Sequence, residues 1–442
     1  DLIGSFRFVN GGKYVVLCAG ECFNGDTEIM TEFGFVKFSD LSKEVKVLQV
    51  LPDGSADFTY PLAYIEKEYD GDFVLLNNPK FSLEATANHN FAYLDHKGEM
   101  YKRKATEDVP QTSSVLLSTQ TDGQGTGLSE DQIALTLAIC ADSKLDTQKS
   151  GRVKAHLSFM KARKIERLIG ILSRLGVEYT SYVNTYASGK TYTTFNLALP
   201  DYISDKRIPV SWVSTATAKE KDFILDELRW WDGNECKLYT EFTSKHKSEC
   251  DTVQALCVTN NRYSVVRERS NKLGTWYVTS IHKKSFLGSM QKPSLTKEVV
   301  NFKGKVYCVA VPSGYIQIRN KGKVAVVGNC DFLSAFQMLR DYQISRGSDE
   351  KYDPIACVTP TVGEGGCGKQ IQGNYKFLDK FERIVVCFDN DAAGKAAVEK
   401  ITPLLPRGKV YIMTPRYKDC NEYLTKGKER EFVTDFYNAK KH

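Results

Sequence analysis

The sequence predicts a multidomain protein in which an α/β domain is interrupted by an all-β segment, and that segment in turn by an α+β segment. Three observations lead to this fold class. The chain has 442 residues, more than one ordinary domain holds. Strand-like and helix-like runs alternate only at its two ends. Residues 22–125 and 297–329 carry short β-like runs with turn residues, whereas 126–296 mixes helices and strands.

The composition is that of a soluble globular protein, with 42% hydrophobic and 26% charged residues. Its apolar runs, such as 384–388, are far shorter than the roughly 20 residues of a membrane span, and the first residues lack a signal-peptide pattern. Twelve cysteines without CxxC spacing argue against a disulfide scaffold or a zinc ribbon. We therefore expect a reduced, cytoplasmic protein without a membrane partner. A net charge of +6 is compatible with nucleic-acid binding.

The two ends together predict one α/β domain. Residues 392–402 have helical spacing that stops at Pro403. The strand-like runs, rich in β-branched residues, are 13–21, 355–359, 384–388 and 409–413. Strands that alternate with helices are typical of βαβ units and a parallel sheet. Within the middle of the chain, 128–142 and 219–231 are predicted as helices.

Four short motifs stand in and at the borders of the β-like segments. They are 22–27 (CFNGDT), 86–89 (TANH), 306–312 (VYCVAVP) and 326–330 (VVGNC). In this order and at these separations they resemble the sequence blocks of an intein, a self-splicing insert whose horseshoe-like all-β domain is called Hint. The resemblance implies excision of 22–329 and joining of the flanking segments.

The residue types suit this chemistry. A thiol is a good nucleophile and leaving group, so Cys22 can convert the amide before it into a thioester. The resemblance implies that His89 protonates the departing nitrogen and that Thr86 orients the same peptide. It also implies that Cys330 then takes over the acyl group and that cyclisation of Asn329 releases the insert. Splicing needs no cofactor, and the intein is expected to be monomeric.

Two positions depart from the intein pattern. The residue before the terminal Asn is usually His and here is Gly328, and an Asp is usual where Cys308 stands. Because that His assists cyclisation, the step at Asn329 needs another helper or is slow. A splicing-deficient precursor therefore remains an alternative.

The segment 22–329 is longer than the roughly 130–150 residues that splicing requires, which predicts a passenger domain at 126–296. The runs 135–143 (LTLAICADS) and 224–233 (ILDELRWWDG) each predict a helix with an Asp at its C-terminal end. They resemble the paired LAGLIDADG motifs of homing endonucleases. The resemblance implies that Asp142 and Asp232 meet, bind Mg²⁺ and cleave double-stranded DNA.

Basic and aromatic residues interleave after the second motif, which indicates strands that contact DNA or, alternatively, solvated strand faces. They are Arg262, Tyr263, Arg267, Arg269, Lys272, Trp276 and His282–Lys284, with Lys283 as a candidate catalytic lysine. Glu227 and Trp231 stand where the family prefers small residues. A decayed nuclease that only binds DNA therefore stays open, as does a DNA-binding module for which the β segment is a structural mount.

With 22–329 removed, the ends join as strand, turn and helix, while Asp389 and Asp391 follow another strand. Open α/β sheets place their sites at the carboxyl ends of strands, and carboxylates two residues apart share one face of an extended chain. This pattern predicts a Mg²⁺ site. Together with 363–369 and 418–422 it resembles the Toprim domain of phage primase–helicases, which implies a single-stranded DNA template, nucleotides as substrates and the cytoplasm of a phage-infected bacterium.

In the Toprim family the turn usually carries a Glu where this chain has Ala19. Either Glu21 supplies the third metal ligand or the site works without it. The predicted domains are thus Toprim (1–21 and 330–442), intein (22–125 and 297–329) and endonuclease (126–296). Because the insert splits the strand, turn and helix of the Toprim site, we expect that site to be blocked or mis-assembled before splicing.

Overall fold

The computed structural model describes residues 2–4, 12–18, 22–51, 53–87, 89–272, 274–291, 294–328, 331–347, 355–360, 368–390 and 392–442. The chain divides into two compact units. The first comprises Asp1–Thr31, Val36–Leu116 and Leu287–His442, and the second Glu32–Phe35 and Leu117–Phe286. The predicted multidomain, β-rich organisation is confirmed. Among the described helices, none combines the length and apolarity that crossing a membrane requires.

The strands fall into three groups along the chain. Before residue 117 lie β1 (Leu2–Gly4), β2 (Tyr14–Leu17), β3 (Phe23–Asn24), β4 (Glu28–Thr31), β5 (Gly34–Lys37), β6 (Val47–Val50), β7 (Ala56–Thr59), β8 (Ala63–Asn77), β9 (Ser82–Thr86), β10 (Asn90–Leu94), β11 (Met100–Lys104) and β12 (Ser114–Leu116). Then come β13 (Ser143–Thr147), β14 (Val153–Phe159), β15 (Tyr179–Thr185), β16 (Thr191–Ala198), β17 (Gly233–Glu235), β18 (Tyr239–Ser244), β19 (Ser264–Asn271) and β20 (Gly274–His282). The last group is β21 (Leu287–Ser289), β22 (Thr296–Ala310), β23 (Tyr315–Asn320), β24 (Lys323–Gly328), β25 (Ile355–Pro360), β26 (Arg383–Val386), β27 (Val410–Ile412) and β28 (Lys440–Lys441).

The helices lie mostly in the second unit and at the C-terminal end. They are α1 (Glu130–Asp142), α2 (Ala162–Leu175), α3 (Trp212–Thr215), α4 (Ala218–Glu227), α5 (Lys247–Val258), α6 (Asp331–Ser345), α7 (Gly368–Gly373), α8 (Tyr375–Leu378), α9 (Ala392–Ile401), α10 (Cys420–Thr425) and α11 (Glu429–Tyr437). Short 3-10 turns cover Phe38–Asp40, Leu228–Trp230 and Thr402–Leu404.

The ends of the chain share one six-stranded mixed sheet, in the order β1-β25-β2-β26-β27-β28. Strand β2 lies parallel to β25 and to β26, and β26 lies parallel to β27. Val15, Leu17, Ile384 and Val386 are all buried, as expected for parallel strands covered on both faces. The sheet joins residues from both sides of the predicted insert, because β2 precedes residue 22 and its two neighbours follow residue 330.

The N- and C-terminal parts of the predicted intein interleave within the first unit. Strands β8 and β22 pair over 15 residues, from Ala63 with Ala310 to Asn77 with Thr296, and close a barrel with β3 and β9. Strand β24 pairs with β23 and with β10. Arg319 of β23 is 1% exposed and donates two hydrogen bonds of 2.5 Å to the carboxylate of Glu28 on β4. This bidentate pairing satisfies a charge that would otherwise be costly to bury.

The second unit contains the same topology twice. Helix α1 is followed by β13, β14, α2, β15 and β16, with the sheet order β13-β14-β16-β15. Helix α4 is followed by β17, β18, α5, β19 and β20, with the order β17-β18-β20-β19. Each of these first helices begins with a capping box, at Ser129 and at Thr217. Asp142 and Asp232 therefore occupy equivalent places, each directly before the first strand of its repeat.

Candidate functional site

The predicted nucleophile lies at the buried start of the barrel. Cys22 has no exposed surface and immediately precedes β3. Its backbone N–H donates to the Thr86 hydroxyl at 3.1 Å, and its carbonyl accepts the Thr86 N–H at 3.0 Å. That Cys22 N–H belongs to the peptide bond that an intein breaks. Thr86 therefore contacts the nitrogen that the predicted reaction would release.

A tight turn brings His89 to the same region. Its backbone N–H donates to the Thr86 carbonyl at 2.9 Å, and its ring centroid lies 4.2 Å from that of Phe23. Burial and, to a smaller extent, the positive charge of Lys102 lower the pKa of His89 to about 3, and a hydrogen bond with the Gly328 backbone opposes this shift. The imidazole is therefore neutral at pH 7. It lies beside Phe23 near one border of the insert and beside Gly328 near the other.

The packing around Gly328 explains why this position has no side chain. A Cβ atom there would lie 2.7 Å from the Asn90 carbonyl oxygen and 3.0 Å from Cε of Lys102, closer than a packed interior allows. Lys102 fills the space, with its ammonium 4.6 Å from the centre of the Tyr315 ring. Lys102 is thus a cation beside the C-terminal border. No sequence motif includes Lys102, so the sequence alone gives no signal for its position.

Several predicted residues cannot be placed in this geometry. Glu21, Asn329, Cys330 and Asp391 lie outside the described residues. Cys308, where the intein family usually has an Asp, is 1% exposed on β22, and its thiol donates to the Val309 carbonyl at 3.5 Å.

In the second unit the charge of one predicted metal ligand acts on the other. Burial and the negative charge of Asp142 raise the pKa of Asp232 to about 6, as expected for carboxylates close enough to repel each other. Lys164 of α2 forms an ion pair with Asp142, with Nζ and Oδ2 2.5 Å apart. Two neighbouring, partly buried carboxylates fit a divalent cation such as Mg²⁺, because its charge would relieve their repulsion. Lys164 contacts this site, whereas Lys283 is exposed.

A cleft of about 900 Å³ includes Asp232. Basic side chains in its wall suit it to phosphate groups. These are Lys206, Arg207, Lys245 and His246. Farther along the unit, Arg267, Arg269 and Lys272 are exposed.

Two residues that the sequence analysis interpreted as DNA contacts are structural instead. Arg262 is 8% exposed and pairs with Asp222 at 2.5 Å and with Asp226 at 2.9 Å, both on α4. Tyr263 is 7% exposed and packs edge-to-face against Phe286. The interpretation was wrong because a run of basic and aromatic residues does not show which of them a neighbouring helix covers.

The bulky residues of the second motif are accommodated in the packing. Glu227 and Trp231 are both buried. The Glu227 carboxylate accepts the Arg167 guanidinium at 2.5 Å and the Trp231 indole N–H at 3.2 Å. Because Arg167 lies on α2 of the first repeat, Glu227 connects the two repeats. A small residue in place of Glu227 would leave the Arg167 guanidinium without this partner.

In the six-stranded sheet that the two ends of the chain share, Asp389 follows β26 and is 4% exposed. Its carboxylate forms an ion pair with Lys104, with Oδ2 and Nζ 2.9 Å apart. Lys104 is the last residue of β11, inside the predicted intein, and its side chain is only 7% exposed. A buried carboxylate needs a cationic partner, and here the insert supplies it. No local pattern in the sequence indicates this contact.

Comparison with known proteins gives three partial matches, which point to two kinds of protein. Residues 328–424 match the model of the Toprim-like family. The DNA helicase/primase of Enterobacteria phage T3 is 36% identical over 87 residues, which cover 19% of this chain and 15% of the relative. Ribonucleoside-diphosphate reductase subunit beta of Aquifex aeolicus (strain VF5) is 28% identical over 355 residues, covering 70% of this chain and 50% of the relative. The chain thus spans half or less of the length of these curated relatives.

Three solved structures resemble parts of the chain at low overall similarity. The AceL NrdHF class 3 split intein has a TM-score of 0.29 and 8% identity, covering 70% of this chain and 97% of its own. The homing endonuclease I-DmoI with its target DNA and Mg has a TM-score of 0.28 and 12% identity, covering 34% and 88%. The primase fragment of the bacteriophage T7 primase–helicase protein has a TM-score of 0.21 and 25% identity, covering 28% and 56%.

The family match and the border motifs, which lie on the interleaved barrel, fit a Toprim-like domain interrupted by an intein. The Toprim-like part is similar to the DNA helicase/primase of phage T3, which fits a Toprim domain of the phage primase–helicase type.

Proposed function

We propose that the chain is a self-splicing precursor that excises residues 22–329 and joins Glu21 to Cys330, which yields a Toprim primase domain. One observation carries this proposal: Thr86 accepts the N–H of the peptide bond before Cys22, while neutral His89 lies beside both borders of the insert. An ordinary structural barrel has no need for this arrangement.

In the first step the Cys22 thiol attacks the carbonyl carbon of Glu21, so that a C–S bond forms and the C–N bond breaks. His89 is neutral, and it can take the thiol proton and pass it to the leaving nitrogen. The hydroxyl of Thr86 orients that nitrogen. One imidazole thus acts first as base and then as acid, and no proton is gained or lost overall.

In the later steps the Cys330 thiol attacks the thioester and releases Cys22. The side-chain nitrogen of Asn329 then attacks its own carbonyl carbon and expels the Cys330 amine, which takes the acyl group from sulfur to nitrogen. We assign to Lys102 the help usually given by a His at position 328. Its ammonium, beside Gly328, can stabilise the negative oxygen that forms during cyclisation.

The match to the reductase subunit supports an insert that occurs in more than one host. Residues 1–21 and 330–442 number 134, whereas the match covers 70% of the 442-residue chain. Most of the matched residues therefore lie within 22–329. A segment shared between a primase-like chain and a protein with an unrelated name is expected of a mobile insert.

Intact-mass spectrometry of the purified full-length chain tests the proposal. The mass of 49.7 kDa should be replaced by masses of about 35 and 15 kDa, from the mean residue mass of the chain. Cys22→Ala should remain at 49.7 kDa because alanine has no nucleophile. Cys257→Ala, at a buried cysteine of the second unit, should splice like the wild type.

Three masses would show cleavage without joining and would place the fault at Cys330. A wild-type chain that stays at full mass, like Cys22→Ala, would contradict splicing and favour the splicing-deficient alternative.

A second function is favoured by the effect of the Asp142 charge on the partly buried Asp232 and by their equivalent places in the two repeats. We propose that the second unit cleaves double-stranded DNA and that these two carboxylates hold Mg²⁺. When bound, the ion would activate water and stabilise charge on the leaving oxygen. Lys164 keeps Asp142 in place, and the basic wall of the cleft binds phosphates.

A plasmid that carries the host gene without the insert is the substrate for the test, since an endonuclease that spreads the insert must cut the uninterrupted gene. Asp142→Asn and Asp232→Asn should each abolish Mg²⁺-dependent cleavage and retain binding in Ca²⁺, because only the metal ligands are lost. Asp131→Asn, which breaks an exposed pair with Arg174, is the control. Binding without cleavage by the wild type would favour the decayed nuclease.

For the host domain we propose that Asp389, with Asp391 and Glu21, holds Mg²⁺ for nucleotide phosphates once splicing is complete. In the precursor, the Lys104 ammonium takes the position of a cation at Asp389. The host site is therefore proposed to stay blocked until the insert leaves.

A further inference from the structure

Three buried cysteines meet at the carboxyl ends of the parallel strands in the six-stranded sheet. Cys18 follows β2, Cys387 follows β26 and Cys420 begins α10. Their exposed fractions are 0%, 1% and 3%. The three Sγ atoms lie within 4.8 Å of one another, and those of Cys387 and Cys420 are 3.4 Å apart. Within the described part of the chain, no other three His, Cys, Asp or Glu ligands come this close together.

We propose that Cys18, Cys387 and Cys420 form a three-thiolate site for one thiophilic divalent cation of the Zn²⁺ class. Zinc–sulfur bonds of about 2.3 Å place tetrahedral thiolates about 3.8 Å apart. The separation of Cys387 and Cys420 is 3.4 Å and none of the three exceeds 4.8 Å, so the sulfur atoms need only small movements to bind the ion. Binding displaces the protons of those cysteines that are still thiols, and these protons pass to solvent.

The donor set distinguishes this site from the proposed Mg²⁺ site at Asp389, two residues after Cys387. Thiolates select soft or borderline cations, whereas Mg²⁺ requires oxygen ligands. The two sites therefore bind different metals although they lie on the same edge of the sheet.

The ligands come from both sides of the insert, because Cys18 precedes residue 22 and the other two cysteines follow residue 330. An ion there would tie β2 to β26 and α10 before splicing as well as after it. This cross-link would keep the two ends of the host together while the insert leaves. The thiols can bind the ion whether or not splicing takes place, so a failure of one does not imply failure of the other.

The test uses the full-length Cys22→Ala chain, which holds the composition of the sample constant, under reducing conditions and in excess Mg²⁺. Co²⁺ is the probe, because thiolate–cobalt charge-transfer absorption reports sulfur ligands and carboxylates do not produce it. We expect one equivalent of Co²⁺ to bind with this absorption and one equivalent of Zn²⁺ to displace it. Cys420→Ala and Cys18→Ala should lose the absorption, and Cys257→Ala should retain it.

Absence of the absorption in the reduced full-length chain would overturn the proposal, however the variants fold. Retention of the full absorption by Cys420→Ala would overturn it as well. A third result would also overturn the proposal. If the untreated chain has a mass lower by two hydrogens and binds no Co²⁺ after reduction, two of the cysteines form a disulfide instead of a metal site. Thermal unfolding of the metal-free variants separates loss of ligands from loss of fold.

Discussion

Replacing His89 with Gln will slow thioester formation at Cys22 by roughly 10²–10⁴-fold, the usual contribution of a general acid–base group. Glutamine is similar in size and polar, but it cannot carry a proton from the thiol to the leaving nitrogen. The rate is measured as thiol-induced cleavage before Cys22 in an Asn329→Ala, Cys330→Ala background, which isolates the first step. The 21-residue N-terminal fragment is followed by mass spectrometry.

The control is His96→Gln, the same change at an exposed histidine of the same unit, and it should cleave at the parent rate. Equal rates for His89→Gln and the parent would remove His89 from the proposed mechanism. Loss of cleavage in His96→Gln as well would indicate a general sensitivity of the barrel rather than a role in proton transfer.

The same variant has a second readout in its pH dependence. Burial lowers the pKa of His89 from 6.5 to about 3. Below pH 6.5 the unfolded chain therefore binds a proton at His89, whereas the folded chain binds it only near pH 3. His89 therefore costs the folded state no stability above pH 6.5. As the pH falls from 6.5 toward 3, the folded state loses stability relative to the unfolded state. Relative to His89→Gln, the wild type should lose up to about 1.4 kcal/mol per pH unit in this range. Parallel thermal unfolding of both proteins at pH 7, 6 and 5 would contradict a buried, neutral imidazole.

Replacing Lys104 with Met will open the host metal site in a precursor that cannot splice. Breaking a buried ion pair costs about 3–5 kcal/mol, so a metal that must displace Lys104 should bind the precursor roughly 10²-fold or more weakly than it binds the spliced host. Met fills a similar volume without the charge and leaves the buried Asp389 in need of a cation. Mn²⁺ titration followed by electron paramagnetic resonance measures the change in an Asp142→Asn, Asp232→Asn background, which silences the second unit.

Lys303→Met is the matched control, because it removes an exposed lysine that pairs with Asp70. It should leave Mn²⁺ affinity unchanged. Two failures are distinguishable. If the unaltered precursor binds Mn²⁺ as tightly as the spliced host, the block by Lys104 is wrong. If the spliced host itself does not bind Mn²⁺, the metal assignment of Asp389 is wrong.

Local patterns in the sequence predicted the secondary structure well where side-chain spacing carries the signal. The helix expected at 128–142 spans Glu130–Asp142, and the strand expected at 384–388 spans Arg383–Val386. The helix expected at 219–231 ends earlier, at Glu227, and continues as a 3-10 turn. Spacing failed at Arg262, whose burial depends on carboxylates of another element.

The repeated topology of the second unit was only partly visible in the sequence. The two motifs ending at Asp142 and Asp232 could be recognised because each lies within ten residues of chain. The matching order of the strands that follow could not, because pairing between strands depends on contacts that single-strand periodicity does not record.

The sequence by itself predicted the reactive residues at the borders of the insert and the nested order of the domains, because each motif is a short contiguous run with a characteristic spacing. Only the tertiary structure decided that Gly328 has no room for a side chain, that Lys104 faces Asp389, and that Cys18, Cys387 and Cys420 meet. These are contacts between residues tens to hundreds of positions apart. They arise when packing brings separate elements together, and no local pattern of side chains encodes them.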